Sequence, residues 1–572
     1  MTDSFKFENK LISNAEEISN KFNEFFVTIG PKLDAKIDPP QTDFKSYLPI
    51  NNRDSFFINP TSPDEIIRII GQCKNKYSSG WDNVPMAIIK SVGLHIAAPL
   101  AHICNLSFST GIFPSKMKLA KVTPIYKSEV RDEFSNYRPI SLLPNFSKIL
   151  EKLMFDRLSD FLNKHEILYE QQYGFRQGFS TDFALIELSD KIAKAIDDKK
   201  FMMGIFIDLS KAFDTLNHSI LLQKLMNYGI RGISNDWFKT YLTEREQFVN
   251  YDNALSSKSK ITTGVPQGSI LGPLLFLLYI NDISNSSHLL KFILYADDTN
   301  IFYCSDNIQQ LCDTVNEELL GVVQWFKSNR LSVNSKKTNF VLFGSNQKTR
   351  KLQNVEIFLD NIKITRTETA KFLGVVIDEN LTWKNHINYI ENKIAKNVGI
   401  IKRVRYLLSE KTLNTLYNTL VLPYINYCNI IWANNKPTRL QPLLLLQKRC
   451  MRVITNSPYN SHSSPLFAKL NQLTITDINK VLIATFMFRY HSHCLPNIFV
   501  NYFCTNSSVH GHFTRSSKKL HISYARTDLM KLQLRTCDPK LWNSIDPAII
   551  NNSRNWHAFK NKYKKHLLSY YV

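Results

Sequence analysis

The chain has 572 residues with 71 Lys and Arg against 49 Asp and Glu, so it carries a formal charge of +22 while remaining 44% hydrophobic and 12% aromatic. That composition excludes disorder, and the length allows about three or four domains of roughly 150 residues, each able to bury a core. A surface this basic asks for a polyanion, nucleic acid first. The longest apolar run, Ile270 to Ile280, holds eleven residues including Gly272 and Pro273, too few to span a bilayer. Met1 to Lys10 is charged and lacks a signal-peptide core, and nine scattered Cys form no CxxC pair. The expectation is an intracellular protein with reduced thiols, in the nucleus and/or cytoplasm, not secreted and without a membrane partner.

In chain order, Ser13 to Phe26 reads as a short amphipathic helix with Ile18, Phe22 and Phe25/Phe26 on one face. A Pro-containing stretch, Lys36 to Pro63, reads as a linker, and Ser62-Pro63-Asp64-Glu65 as a helix start. From there to about residue 380, helical patterns alternate with short apolar strands at Met202 to Ile207, Lys291 to Leu294, Asn300 to Tyr303, Thr338 to Phe343 and Phe372 to Ile377. This predicts a mixed α/β body. Residues 381–470 carry 13 Lys and Arg against 2 acids, and residues 471–572 carry 14 against 4, so together they hold +21 of the +22. The predicted division is therefore an N-terminal helix and linker (1–62), a nearly neutral body (63–380), and two basic regions (381–470 and 471–572).

Leu289 to Phe302 places two adjacent carboxylates, Asp297 and Asp298, between two β-rich runs, the pattern of a hairpin whose turn presents acids. Neighbouring carboxylates repel unless a cation neutralises them, and an oxygen-rich site suits Mg²⁺; a solvated turn is the alternative. Earlier in the chain, the apolar run Met202 to Ile207 ends in a single Asp208. An acid at a strand's end is well placed to share a metal with acids on a neighbouring hairpin. Asp214 is expected to cap or to pair locally, for instance with His218 at i+4, rather than bind metal. Between them, Thr263 to Pro273 gathers Gly264, Gly268 and Gly272 in a chain with only 18 glycines, allowing close approach of backbone to a ligand.

With these motifs in order, the chain resembles the reverse transcriptases of non-long-terminal-repeat retrotransposons, most closely the jockey-like group, over roughly residues 63–470. The resemblance is carried by Ser79 to Pro85, Asn136 to Leu143, Gln172 to Arg176, the segments around Asp208, Gln267 and Tyr295 to Asp298, Asn334 to Thr338, and Phe372 to Val375. It implies a right-hand polymerase fold of fingers, palm and thumb, an α+β arrangement with the core reverse transcriptase domain at about 107–377, followed by a mainly helical basic C-terminal region. The implied activity is an RNA-directed DNA polymerase that extends a DNA 3′-OH on an RNA template, using deoxynucleoside triphosphates and two Mg²⁺ ions, or Mn²⁺ in their place.

Residue by residue, the resemblance implies that Asp208, Asp297 and Asp298, with the Leu209 carbonyl, hold the metal. One ion would activate the primer 3′-OH and the other neutralise the leaving pyrophosphate. Lys337 would protonate pyrophosphate, Phe213 would exclude a 2′-OH, and Gln267 and Gly268 would line the templating pair. Lys127 and Arg138 would grip the triphosphate and Arg176 the template. Phe372, Leu373 and Gly374 would close the palm on nucleic acid. Ile387, Ile390, Ile394, Val398, Ile401 and Leu408 recur at helical spacing, with Lys393, Lys396, Lys402, Arg403 and Arg405 mostly off that stripe, as in a thumb helix that packs on one side. A second basic helix is predicted at Leu443 to Ile454, adding Lys448 and Arg449 as phosphate contacts.

Relatives of this group usually carry an endonuclease ahead of the polymerase; only about 60 residues precede the first motif here, so the expectation is either that a separate protein does the nicking or that this is a truncated copy. His491, His493, Cys494, Cys504, His510, His512 and Cys537 match no zinc knuckle or finger spacing. Two other readings stand beside the polymerase: a catalytically inactive descendant that binds nucleic acid, and a structural protein that coats RNA through its basic third.

Overall fold

The computed structural model describes residues 4–7, 10–349, 355–509 and 516–571. In chain order, the elements that position the site are α1 (Ala15–Asp34), β1 (Ala120–Tyr126), β2 (Tyr137–Leu142), α2 (Asn145–Lys164), α3 (Thr181–Asp197), β3 (Phe201–Ile207), α4 (Ala212–Thr215), β4 (Arg245–Tyr251), α5 (Leu271–Ile280), β5 (Lys291–Tyr295), β6 (Asp298–Ser305), β7 (Asn339–Phe343), β8 (Thr369–Phe372), β9 (Val375–Asp378), α6 (Lys384–Val404), α7 (Pro437–Ile454), α8 (Ile475–His491) and α9 (Leu534–Ser544). Helices and sheets are mixed, as an α+β fold requires.

Every residue of β3 is buried, and the strand lies at the centre of a five-stranded sheet between β6 and β7, both antiparallel to it. β5 forms one edge and Thr365–Arg366 the other. A strand covered on both faces needs an unbroken apolar run rather than alternation. Its side chains then serve two cores: Met202 and Phe206 join α3 and the C-terminal helices, while Met203, Ile205 and Ile207 join α2 and α5. α5 lies in the second core, where all its residues but Pro273 are buried, which explains an apolar run without helical periodicity.

A second sheet pairs β2 with β1 antiparallel and β1 with β4 in parallel. α1 covers it through Ile18, Phe22 and Phe26, which pack with Tyr137, Val249 and Tyr251. The helix runs eight residues past the predicted end at Phe26, and its Gly30 touches α4 itself: a Cβ there would lie 2.4 Å from the Asp214 carbonyl. The stretch read as a linker is bound along its length, with the Phe56 N–H donating to Gly229 (2.9 Å) and Ser328 donating to the Thr42 carbonyl (2.6 Å).

Phe372 to Ile377, expected as one strand, is a hairpin of β8 and β9 joined by Leu373 and Gly374, both with positive φ (+47° and +80°). A two-residue turn of that conformation reverses the chain where propensity alone reads a continuous strand. α6 buries Ile387, Ile390, Ile394, Val398 and Ile401, whereas Leu408 lies beyond the helix end and outside the stripe. α7 starts at Pro437, six residues before the predicted Leu443. The basic region 471–572 is built into the core rather than appended. Phe486 of α8 meets Phe183 of α3 (6.3 Å), Thr527 donates its N–H to Asp197 (2.8 Å), and both Tyr502 and Arg535 donate to buried Asp190 of α3.

Candidate active site

Asp208 immediately follows β3, whose last residue Ile207 pairs with Thr299, so Asp208 and Asp298 both lie one step past the last paired residues of the two strands. Asp298 is itself the first residue of β6 and pairs with Tyr295, so the hairpin loop is only Ala296 and Asp297. Ala296 occupies a positive φ of +54°, an uncommon conformation for a residue with a Cβ. The three carboxylates thus converge at one end of the central strand pair. Burial raises the Asp297 carboxyl above its ordinary range, and Asp208 adds to that, while Arg138 and Lys127 oppose it. Asp298 is pushed up to about 6, first by loss of water around its carboxyl and then by the charges of Asp297 and Asp208. Its carboxylate nevertheless keeps solvent-accessible surface, so the group is both electrostatically strained and open to a ligand.

Three loops hold this end of the sheet. Asn334 donates its N–H to the Asp208 carbonyl (2.8 Å) and Ser210 donates to Ser332 (2.8 Å), making Leu209 and Val333 the pair between those bonds and turning the Leu209 carbonyl away from that loop. The same loop carries exposed Lys337. On the other side, the Tyr173 N–H donates to the Leu294 carbonyl (2.8 Å), and Gln172 Oε1 accepts from both Gly174 (2.9 Å) and Ala296 (3.0 Å). A Cβ on Gly174 would sit 2.3 Å from the Ala296 nitrogen. The third loop carries Gln267 and Gly268. Gly268, at φ +134°, lies where a Cβ would be 2.5 Å from the Ser141 carbonyl, and the Ser141 N–H donates to the Gln267 carbonyl (2.8 Å).

Asp214 departs from its expected partner. Its carboxylate accepts from Gln267 Nε2 (2.8 Å), and burial pushes it up to about 6, whereas His218 pairs with the Gly264 carbonyl (2.8 Å). Gln267 is therefore held by Asp214 rather than left free. Phe213 stacks on Phe276 of α5 (4.6 Å between centroids) and meets the edge of Phe175 (6.2 Å), which is 52% exposed. Lys127 and Arg138 are exposed at the ends of β1 and β2, within electrostatic reach of Asp297.

Sequence reasoning missed two contributors. Lys211, at φ +52° on the turn between Asp208 and Phe213, is half-buried and reaches the Ser135 carbonyl (3.3 Å). Burial, then the cations Lys127, Arg138 and Lys337, hold its ammonium below the usual lysine range against the pull of Asp214. The signal for it was its position, three residues past Asp208. Gln172 is the other: it ties two loops together through one buried oxygen, which no spacing reveals.

The predicted nucleic-acid contacts divide. Arg176 Nη1 donates to the carbonyls of Tyr169 (3.0 Å) and Gln172 (3.2 Å), and its guanidinium covers Phe179 (4.2 Å), so it is committed to the framework of its own loop. Phe372 is 2% exposed and packs near Phe206 (6.3 Å), leaving the Leu373-Gly374 turn as the presented part. That turn is braced by the Tyr427 hydroxyl, which donates to the Leu373 carbonyl (2.7 Å). Lys393, Lys396 and Arg403 are exposed on α6; on α7, Arg449 is exposed and Lys448 half-buried. Cys494 and Cys504 are exposed, His491 stacks on Trp542 (4.9 Å), and His510 and His512 lie outside the described residues.

Residues 125–377 match the family described as reverse transcriptase (RNA-dependent DNA polymerase). The chain is 31% identical over 483 residues to a probable RNA-directed DNA polymerase from transposon BS of Drosophila melanogaster, an alignment covering 81% of this chain and 51% of the relative. It is 29% identical to a probable RNA-directed DNA polymerase from transposon X-element of the same species (74% and 47% covered). It is 26% identical to the RNA-directed DNA polymerase from mobile element jockey (79% and 50% covered). The chain thus spans about half the length of the curated relatives it matches. Among the described residues, no helix is long and apolar enough to cross a membrane. The motifs and these relatives agree that residues 125–377 match a reverse transcriptase domain, and that the chain is similar to the RNA-directed DNA polymerases of transposon BS and mobile element jockey.

Proposed function

We propose that this protein is an RNA-directed DNA polymerase of a mobile element, extending a DNA 3′-OH on an RNA template with deoxynucleoside triphosphates. The observation that carries the reading is the convergence of Asp208, Asp297 and Asp298 at the end of one antiparallel strand pair, with Lys127, Arg138, Lys211 and Lys337 around them. In this reading β3, β5, β6 and β7 are the palm, the β1, β2 and β4 sheet belongs to the fingers, and residues 381–470 form the thumb.

The donors suit a hard divalent cation such as Mg²⁺: carboxylate oxygens, two of them on groups whose ionised form burial and mutual repulsion disfavour and a cation would favour. Among the described residues no three His, Cys, Asp or Glu side chains make a ready cage. An open arrangement agrees with Mg²⁺, which keeps waters and draws further ligands from substrate phosphates. Asp208, Asp297, Asp298 and the Leu209 carbonyl would hold it, and when bound it would supply charge neutralisation and a more acidic 3′-OH.

The protein's own groups do the rest. Lys127, Arg138 and Lys211 bind triphosphate oxygens, and Lys337 donates a proton to the departing pyrophosphate. Phe213, backed by Phe276, presents a flat wall to the sugar. Gln267, fixed by Asp214, orients the nascent base pair. The test is primer extension on an RNA template beside Asp297→Asn. The substitution is expected to abolish synthesis while leaving duplex binding intact; equal synthesis by both proteins would remove the carboxylates from the chemistry. Failure of the wild type to extend would favour the inactive descendant.

A further inference from the structure

α6 presents cations on two flanks. At roughly 3.6 residues per turn, Tyr389 and Lys393 lie on one side of the buried stripe, Glu391 and Lys402 on the other, and Arg403 opposite it. The first flank continues onto the β8 strand, where Lys371 and Lys393 both approach the Tyr389 ring (5.5 and 5.7 Å). The second faces α7 across a cavity of about 790 Å³. That cavity is lined by Lys402, Arg405, Arg449 and Arg452 against a single acid, Glu391, with Tyr459 at its rim.

Three features of this groove are unexplained by folding. Lys402 and Arg449 are exposed and have no hydrogen-bond or ion-pair partner among the described residues, and Arg405 Nε is buried without one. Tyr459 is 88% exposed with the Arg452 guanidinium over its ring (5.8 Å), and next to the groove, outside its lining, Tyr406 is 75% exposed with the lining Arg405 over its ring (4.4 Å). Arg452 is steadied from behind by the Ser461 carbonyl (3.0 Å). Exposed aromatic rings among cations, two of which (Lys402 and Arg449) have no partner among the described residues, are what an unstacked base and its phosphate occupy. A duplex keeps its base faces stacked and cannot use such rings.

We infer that the groove between α6 and α7 is a binding site for single-stranded nucleic acid, separate from the duplex flank of α6: bases stack on Tyr459 and Tyr406, and phosphates lie along Lys402, Arg405, Arg449 and Arg452. RNA and DNA strands share this chemistry. The site stands apart from the polymerase reading, because it requires neither metal nor nucleotide.

The experiment is fluorescence anisotropy of the full chain with labelled oligo-rU and oligo-dT of about 12 nucleotides and with a blunt hairpin duplex. Tyr459→Ala is expected to weaken single-strand binding about 5- to 150-fold, with Tyr459→Phe near wild type and duplex binding unchanged. Lys402→Gln with Arg449→Gln should reduce the salt slope for single strands by about 1.4. The relative affinities for oligo-rU and oligo-dT identify which strand the site takes. Unaltered single-strand affinity in Tyr459→Ala, or an equal loss for the duplex, would overturn the assignment; because both rings are exposed, matching thermal melts exclude misfolding as the cause.

Discussion

Replacing Gly174 by Ala isolates the contact on which the geometry of the acid turn depends. The added Cβ would lie 2.3 Å from the Ala296 nitrogen, 2.9 Å from the Tyr295 carbonyl carbon and 3.1 Å from the Ala296 Cα, all backbone atoms with no rotamer to change. Ordinary contact begins at 3.4 Å, so the two loops must separate by about 1 Å. Gln172 Oε1, which accepts from both Gly174 and Ala296, cannot follow both. Overpacking of about 1–3 kcal/mol and one weakened hydrogen bond of about 1 kcal/mol predict a loss of roughly 2–4 kcal/mol. Activity should fall further than stability, because a displacement of about 1 Å at reacting groups costs on the order of 100-fold. Urea unfolding and steady-state primer extension measure the two quantities on one preparation. Gly71, in Pro63–Gln72 with open space where its Cβ would go, supplies the control: Gly71→Ala should be neutral or slightly stabilising. A Gly174→Ala protein within twofold of wild type in rate and unchanged in urea midpoint would refute the coupling of this loop to the acid turn.

Three further substitutions test other parts of the fold. Burial pushes the Asp190 carboxyl up to about 6, despite the hydrogen bond from Tyr502 and the charge of Arg535. Its contribution to stability is full below the unfolded value of about 4 and is lost as pH rises through 6, a change of up to ~3 kcal/mol. Asp190→Asn should flatten the pH dependence of the urea midpoint between pH 4 and 7; a slope equal to wild type would remove this group from the account. Lys224 donates to Asp282 (2.5 Å) and to the Tyr279 carbonyl (2.6 Å), and both charged side chains are wholly buried. Lys224→Met should cost about 3–5 kcal/mol and Lys224→Met with Asp282→Leu much less, so an equal loss in both would show that packing rather than the stranded charge is responsible. Phe213→Val should raise ribonucleotide incorporation relative to deoxynucleotide, and an unchanged ratio would leave Phe213 as a packing residue against Phe276.

The acid hairpin was legible because its physics is local. Two β-rich runs around a two-residue loop, and an apolar strand ending in Asp208, are read directly from neighbouring residue types, and the observed register brings those strand ends together. The β8–β9 turn was not, because Leu373 carries no turn signal, and the Tyr427 hydroxyl that braces its carbonyl lies 54 residues away. Gln172 and Lys211 were missed for the same reason. Their roles consist of contacts with segments distant in sequence, and a residue type alone does not say which oxygen or cation will be beside it.

Charge was the most misleading signal. An excess of +10 set residues 471–572 apart as a separate basic region, an arm or a subdomain following the body. Yet a basic segment can be cationic outside and apolar inside, and here the apolar side is shared: Phe486, Phe499 and Tyr502 pack with Phe183 of α3, and Gln447 of α7 accepts the Ile475 N–H (2.7 Å). Deleting 471–572 would expose that core and strip Asp190 of both its donors, so lost binding in a truncated protein would report unfolding rather than electrostatics. The charge has to be tested in place. Lys562 and Lys565 are exposed on the helix Trp556–Leu568, away from buried Phe559, Tyr563 and Leu567, so Lys562→Gln with Lys565→Gln removes two positive charges without touching the core. If this surface grips a duplex, the salt slope of binding should fall by about 1.8, and by nothing if its charge serves only solubility.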